Sequence, residues 1–504
     1  MHRLARPGFV AASFVAVFGC SGHEQDAGGT SNGSSASSGS SAIVRDFLSL
    51  KARFLFDGYV RHANGVGRVD DIYGTSADLA KADATWSFVP GLAGTGGGAC
   101  VSIESRNYRG SFLRHQNGQV FLQPFQESQS YRQDATFCRV PGLADGAATS
   151  FRAFQFPNAY LRHAFGALRL DDDLGEAQFR QDATFELRGP WLTGKFFNPI
   201  LGSGADPTMA YENGSYYLVS SDNDRGIVIR QSSSIEQLED AVPKVLWRAP
   251  ACPAPACAAT WAPELQKIDG RWWIYVAGEN GGGNASHRMF VLRGTSNPMG
   301  PYENPVELRL PGDEWAIDGV YVAHGGQGYF LWSGWENGDP NVQHIFIARM
   351  SSPSSVTGSR VKISSPTAPW ETVPNGNPNI RVNEGPQPIH GPNGRLSVAI
   401  SVNGSWTNDY CLGLLTLNGS DPMRRADWGK SPSCVFSGRD TATAPGHNGF
   451  FTVNGRTWLT YHALIQPGSG WGGRSIRAQP MGFNGDGTPS LGVPVSIHEP
   501  VARP

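Results

Sequence analysis

Three carboxylates, Asp206 in GSGADPTMAYENGSYYL, Asp318 in EWAIDGVYV and Glu384 in VNEGPQPI, share one setting. Each lies where a strand-like run meets Gly or Pro, with uncharged residues around it. Taken singly, each suits a turn, where a carboxylate bonds its own backbone. Taken together at wide separations, they suggest separate elements converging on one axis. Such a group can hydrolyse a glycosidic bond: an ionised carboxylate takes a proton from water while a protonated one donates to the departing oxygen. A third carboxylate raises the pKa of the acid, and apolar flanks push the same way by desolvation.

A second set of candidate residues recurs in the first part of the chain. GYVRHANG is followed by KADATWSFVPGLA, SFLRHQNG by RQDATFCRVPGLA, and AYLRHAFG by RQDATFEL. His62, His115 and His163 recur at 53 and 48 residues, and Asp83, Asp134 and Asp182 at 51 and 48. A histidine and a carboxylate close together can share the hydroxyls of one sugar ring. Asp before Ala-Thr could equally fix a turn through its own backbone. One copy of about 50 residues cannot bury its own apolar face, and three copies of a four-strand unit predict a three-fold β-trefoil.

The elements that must position these residues are short strands. With 63 Gly and 35 Pro in 504 residues and no long helical period, the chain reads as all-β. After PWLTGKFFNPIL the repeat signature stops, and runs such as GSYYLVSS, RWWIYVAG, GYFLWSGW, HIFIARM and TWLTYHAL follow without strand–helix alternation. So many short strands predict a β-propeller of radial four-stranded sheets. A net charge of −2 leaves no electrostatic footprint for nucleic acid or an anionic membrane.

The N-terminus predicts export. MHRLARP carries two arginines, GFVAASFVAVF gives an 11-residue apolar run, too short to span a bilayer, and Gly-Cys follows. VFGC resembles the bacterial lipoprotein box, which would make Cys20 the lipidated first residue; Phe18 departs from the small residue usual there, and simple secretion is the alternative. The Ser/Gly-rich stretch beyond it cannot bury a core. The expected organisation is a signal peptide over 1–19, a tether over 20–43, the trefoil over 44–188 and the propeller over 189–504. Cys100, Cys138, Cys252, Cys257, Cys411 and Cys434 allow fifteen pairings, of which neighbours in chain order are the economical choice. No histidine or second pair near Cys252 and Cys257 favours zinc.

The repeated Y-[VL]-R-H and D-A-T-[WF] motifs resemble carbohydrate-binding module family 42, an arabinose-binding β-trefoil. FFNPILGSGADP, TWAPELQKIDGRWWIYV, SNPMGPYENP, WAIDG, VNEGPQ and PGHNGF, in that order, resemble glycoside hydrolase family 43, a five-bladed β-propeller, and most closely its exo-α-1,5-L-arabinofuranosidases. The resemblance implies Asp206 as general base, Glu384 as general acid and Asp318 as the residue that tunes the acid. It implies inversion of configuration, with base and acid about 6.5–9.5 Å apart.

Arg474, with Arg477 competing, is implied to reach the sugar, and Trp261 and Trp332 to stack on it; Glu264 is expected to be structural. His447 is implied to help hold an axial metal ion such as Ca2+ or an ordered water; no cofactor is required. The expected partners are arabinan, arabinoxylan side chains and arabino-oligosaccharides, with membrane contact only through Cys20 and a monomeric chain. Arabinoxylan arabinofuranosidase, β-xylosidase and endo-arabinanase share the same acids, and a non-catalytic lectin is the reading from another class.

Overall fold

The structure, a computed structural model, describes residues 47–373 and 379–504. The expectations for a signal peptide, for Cys20 and for the tether fall outside the described residues.

Between Phe47 and Arg188, strands of three similar units join into one twelve-stranded sheet. Each unit contains a hairpin (Gly58–Ala63 with Val66–Asp71, Ser111–Gln116 with Gln119–Pro124, Ala159–Ala164 with Ala167–Asp172) and a short helix (Asp78–Asp83, Gln129–Asp134, Ala177–Asp182). Val66 pairs with Phe121, Arg68 with Ala167 and Gln119 with Arg169, so the three hairpins meet one another.

The repeated D-A-T-[WF] motif divides its labour. Its aromatic residue, Trp86, Phe137 or Phe185, is core and no more than 1% exposed. Its threonine hydroxyl donates to the backbone carbonyl four residues earlier, from Thr85 to Lys81, Thr136 to Arg132 and Thr184 to Arg180, ending each helix. Its aspartate is thereby held at the helix end, facing the histidine of the hairpin.

The described residues beyond Arg188 form a five-bladed propeller. Blade 1 runs through Thr208–Glu212, Ser215–Ser221, Gly226–Ser232 and Lys244–Arg248; blade 2 through Ala258–Ile268, Arg271–Glu279, Arg288–Arg293 and Val306–Glu307. Blade 3 comprises Ala316–His324, Gln327–Gly334, His344–Ser352 and Ser355–Ser364; blade 4 comprises Asn383–His390, Leu396–Val402, Cys411–Leu417 and Trp428–Lys430. Blade 5 has Thr443–Val453, Arg456–Leu464 and Arg474–Pro480. The first strand of each blade packs on the first strand of the next around the full ring. Burial on both faces explains why the second strands, such as LSVAISV and RWWIYVAGE, are almost continuously apolar.

The ring is closed by chain from before blade 1, which edges the three strands of blade 5. Ile200 N–H donates to Ile476 C=O (2.8 Å), and Ile476 N–H to Leu201 C=O (2.9 Å). Asn198 extends the pairing with its side chain, donating to Ala478 C=O (3.0 Å) and accepting from Ala478 N–H (2.9 Å). The disulfides are Cys100–Cys138, Cys252–Cys257 and Cys411–Cys434, the neighbour pairing expected from the sequence.

The repeat unit is docked on the propeller. Lys195–Phe197 pairs with Pro500–Ala502 beside the contact, and Arg106 donates to Lys195 C=O (2.5 Å) with its guanidinium over the Phe47 ring. Arg109 bridges to Glu239 (2.7 Å) and Asp240 (3.1 Å), and Tyr108 stacks on His498 at 4.2 Å.

Asn198 is 3% exposed, and its loss strands a buried donor and a buried acceptor on Ala478. Asn198→Ala should therefore lower stability by about 2–4 kcal/mol. The check is an earlier urea midpoint in tryptophan fluorescence; an unchanged midpoint would mean that the ring closes without it.

Candidate active site

The site arises from one backbone irregularity repeated five times. Asp206 (φ 49°), Ala262 (φ 43°), Asp318 (φ 57°), Gly385 (φ 54°) and His447 (φ 44°) all stand in the left-handed region. The pairing of the first strand with the second slips between Trp261 and Glu264, Ile317 and Val320, Glu384 and Gln387, and Gly446 and Gly449. Asp206 stands two residues ahead of Thr208, where blade 1 begins. These are β-bulges, which end regular alternation and re-aim side chains. Pro207, Pro263 and Pro386 follow the left-handed residue in blades 1, 2 and 4.

Asp206 is ringed by positive and proton-donating groups. Its Oδ1 lies 3.2 Å from His447 Nδ1, 3.3 Å from His462 Nδ1 and 3.6 Å from Arg474. Burial alone would raise its pKa, but these neighbours, with the Arg474 guanidinium among them, hold it well below the usual carboxylate range. Burial drives both histidines the other way, toward the neutral form. Asp206 is therefore ionised in neutral water.

Glu384 has the opposite environment. It is buried, and burial first and Asp206 second push it up to about 7 against the hydrogen bond from Tyr410 Oη (2.7 Å to Oε1). Asp318, also buried, is pushed up by burial and by Glu384, while Gly385 N–H donates to its Oδ2 at 2.9 Å. The two carboxyls titrate as a pair that keeps a proton where an isolated carboxyl has lost it. Gly385 is irreplaceable on two counts: its φ is positive, and a Cβ there would meet His447 and the Ser401 hydroxyl at 3.3 Å.

The other expected residues divide. Trp261 lies half-buried in the bulge of blade 2, stacked at 4.1 Å on His287, whose two ring nitrogens face Asn284 C=O and Ala259 C=O. Trp332 corrects its expectation: it is 1% exposed between Phe330 and Phe346 in the core of blades 2 and 3, out of reach of any ligand. Arg474 rather than Arg477 faces the site, because Arg477 is fully buried and donates to Thr441 C=O (2.5 Å). Glu264 is structural, as expected. It accepts from Thr208 Oγ1 (2.8 Å) and Gln387 Nε2 (2.7 Å), tying blades 1, 2 and 4 at the axis, and burial raises it to about 7.

At His447, Nδ1 is spent on Asp206, while Nε2 and both polar atoms of the Asn448 side chain are buried without a protein partner. An axial ion would meet one imidazole nitrogen and one amide there; among the described residues no group of three or more His, Cys, Asp or Glu could hold a metal. Tyr410 and His462 join the site without any signal in the sequence. Both lie in apolar strand-like runs, NDYCLG and TYHAL, that carry no local sign of a site.

In the repeats each histidine meets its aspartate: His62–Asp83 at 3.3 Å, His115–Asp134 at 3.8 Å and His163–Asp182 at 3.7 Å. The arginine before each histidine, Arg61, Arg114 or Arg162, reaches the same aspartate at 3.1–3.3 Å. The first pair is spoken for internally. Asn107 donates to Asp83 (2.7 Å) and contacts His62 (3.2 Å), and Tyr108 and then His498 of the propeller lie over it. The aspartates of the second and third also accept from a glutamine, Asp134 from Gln155 (2.9 Å) and Asp182 from Gln178 (2.8 Å), but their carboxylates are more exposed than that of Asp83, and His115 Nε2 has no hydrogen-bond partner.

A carboxylate kept charged opposite one kept protonated, at the axis of a five-bladed propeller, defines a glycosidase-type site. The sequence pattern of glycosyl hydrolases family 43 matches residues 196–489, and the chain belongs to that family. The alpha-L-arabinofuranosidase B (ABFB) domain matches residues 48–187. Among curated proteins, the extracellular exo-alpha-(1->5)-L-arabinofuranosidase of Streptomyces chartreusis is 33% identical over 277 residues, 53% of this chain and 81% of that protein. Its namesake from Streptomyces avermitilis is 32% identical over 322 residues, 60% of this chain; the match spans 64% of that protein, just under two thirds. The crystal structure of an alpha-L-arabinofuranosidase from Lactobacillus brevis superposes with a TM-score of 0.55 at 28% identity, covering 60% of this chain and 97% of that one.

Two buried glutamates raised to about 7 fix the sign of a pH effect on stability. Between about pH 4.5 and 7 these two groups keep protons in the native state that they release in the unfolded chain, so their own contribution to stability slopes downward as pH rises, while the buried histidines, held toward the neutral form, contribute with the opposite sign. Glu264→Gln should flatten this slope and gain up to about 3 kcal/mol relative to the parent at pH 8. Melting temperatures across pH 4.5–8 test this; parallel curves for the two proteins would refute it.

Proposed function

We propose that this chain is an exo-acting, inverting α-L-arabinofuranosidase that releases terminal α-1,5-linked arabinofuranose from arabinan and arabino-oligosaccharides. The observation that carries the reading is the opposite surroundings of Asp206 and Glu384, two imidazoles and a guanidinium within 3.6 Å of the first against burial and one phenol at the second. Asp206 removes a proton from water as its oxygen bonds to the anomeric carbon, and Glu384 gives its proton to the glycosidic oxygen as that bond breaks. Arg474, His447 and His462 keep the base ionised; Asp318 and the acid form a buried like-charge pair that shares a proton, and Tyr410 holds the acid in place. An ion held by His447 and Asn448 would add positive charge beside Asp206, and no step requires it. The substrate class is supported by the names of the relatives in the two Streptomyces species and by the ABFB-domain match.

The repeat unit, taken as a β-trefoil over 44–188 ahead of a catalytic propeller over 189–504, holds arabinofuranose side chains near the site. His115 with Asp134 and His163 with Asp182 are its open pairs, and His62 with Asp83 is closed by the docked propeller. Export follows from the N-terminal pattern and from the extracellular relatives, with a lipid anchor at Cys20 as its finer form.

Proton NMR of arabinotriose digests tests the reaction. The β-anomer should appear first, and Asp206→Asn and Glu384→Gln should each lower kcat by about 100-fold or more. A first-formed α-anomer, or activity surviving both substitutions, would overturn the assignment. In the pH profile, kcat/KM should fall as pH rises through about 7, where Glu384 loses its proton. Asp318→Asn should move that limb to lower pH by removing a like charge.

Calorimetric titration of the Glu384→Gln protein with arabinose tests the binding unit. Two module sites per chain are expected, one lost in Asp134→Ala and the other in Asp182→Ala. Three equivalent sites would mean that the first repeat is not closed.

A further inference from the structure

Each propeller strand runs antiparallel to its neighbour, so connections between the second and third strands return to the end where the first strand begins. That is the end of the carboxylates. Two such connections, residues 403–410 of blade 4 and 465–473 of blade 5, therefore rise beside the site. They are bound to each other: Gly468 N–H donates to Asn408 Oδ1 (2.7 Å), and Trp471 Nε1 donates to Ser405 Oγ (3.0 Å). Trp406 and Trp471 meet edge to face at 5.6 Å and 73°.

Both connections run directly into the catalytic machinery. The first ends at Tyr410, whose hydroxyl donates to Glu384. The second ends at Arg474, which donates to Trp471 C=O (3.1 Å) and lies 3.6 Å from Asp206. Yet Trp471 is 59% exposed although it is braced on two sides, the indole N–H by Ser405 and the ring by Trp406. An indole held in a fixed orientation with much of its surface in water suits a planar-faced ligand.

We propose that Trp471, braced by Trp406, is the stacking platform for the pentose on the leaving-group side of the bond that is cut. The inference rests on the glycosidase reading. The terminal sugar must enter among Glu384, Asp318 and Asp206, below the rim, so a rim indole meets the part of the chain that stays outside. Blade 4 supplies both the proton donor to the departing oxygen and the connection that braces the indole. The site thereby recognises a chain of at least two sugars.

The test compares arabinotriose with α-L-arabinofuranosyl fluoride, which has no leaving sugar. Trp471→Ala should lower the ratio of kcat/KM on arabinotriose to that on the fluoride roughly tenfold, about the strength of one good aromatic contact. Trp471→Phe should restore most of the ratio. Loss on both substrates with the ratio unchanged would overturn the platform, because the tryptophan would then act only by holding Arg474.

A binding readout separates this failure from failure of the glycosidase reading. In Glu384→Gln protein, arabinotriose should change tryptophan fluorescence in a way that Trp471→Ala abolishes. If the parent protein cleaves neither substrate, the glycosidase reading falls and this titration alone decides: a Trp471-dependent change keeps the platform, and no change sinks it.

Discussion

The structure depends on one constraint, that each of five blades places a left-handed residue in or just ahead of its first strand around a closed ring. For residues other than glycine that conformation costs about 1–2 kcal/mol each, and here it is adopted by Asp206, Ala262, Asp318 and His447. Hydrogen bonds to the backbone offset it where the site is built: Asp318 receives Gly385 N–H, and Ser401 receives His447 N–H at 2.7 Å. Glu264, with Thr208 and Gln387, joins three blades one step further along. The bulges survive only because the ring is closed, and the Asn198 segment completes the blade on which His447 and His462 lie.

Within this ring, burial acts on every carboxylate in the same direction, so the difference between base and acid comes from partners. Asp206 has two imidazoles and a guanidinium within 3.6 Å, whereas Glu384 has a phenol and carboxylate neighbours. In a medium of low effective dielectric, such partners outweigh intrinsic acidity. Glu264 completes the contrast: it is equally buried, but Thr208 and Gln387 occupy its oxygens and leave it no role beyond joining strands.

The repeat unit illustrates how symmetry in sequence becomes inequality in structure. All three copies build the same Arg–His–Asp cluster. Only the first is capped, because Tyr108, beside Asn107, is also the residue that stacks on His498. The ion pairs of Arg109 add little individually at a partly exposed interface. Arg106 is buried at the interface, where its guanidinium donates to the Lys195 carbonyl and lies over the Phe47 ring of its own unit.

The sequence by itself determined which residues could do chemistry and where the strands had to turn. Bulges and turns need Gly, Pro and small polar residues, and these stand beside Asp206, Asp318 and Glu384 in the chain. The repeat was legible because each copy must cap its helix with Thr and fill its core with Trp or Phe. Tertiary structure alone decided that Trp332 is core while Trp261 is half-exposed, and that Arg474 rather than Arg477 faces Asp206. It also decided that Tyr410 and His462 belong to the site and that His62 with Asp83 is closed. Their roles depend on burial and on distances of about 3 Å between blades or domains, and a strand residue looks the same in sequence whether its side chain meets a core, a carboxylate or water.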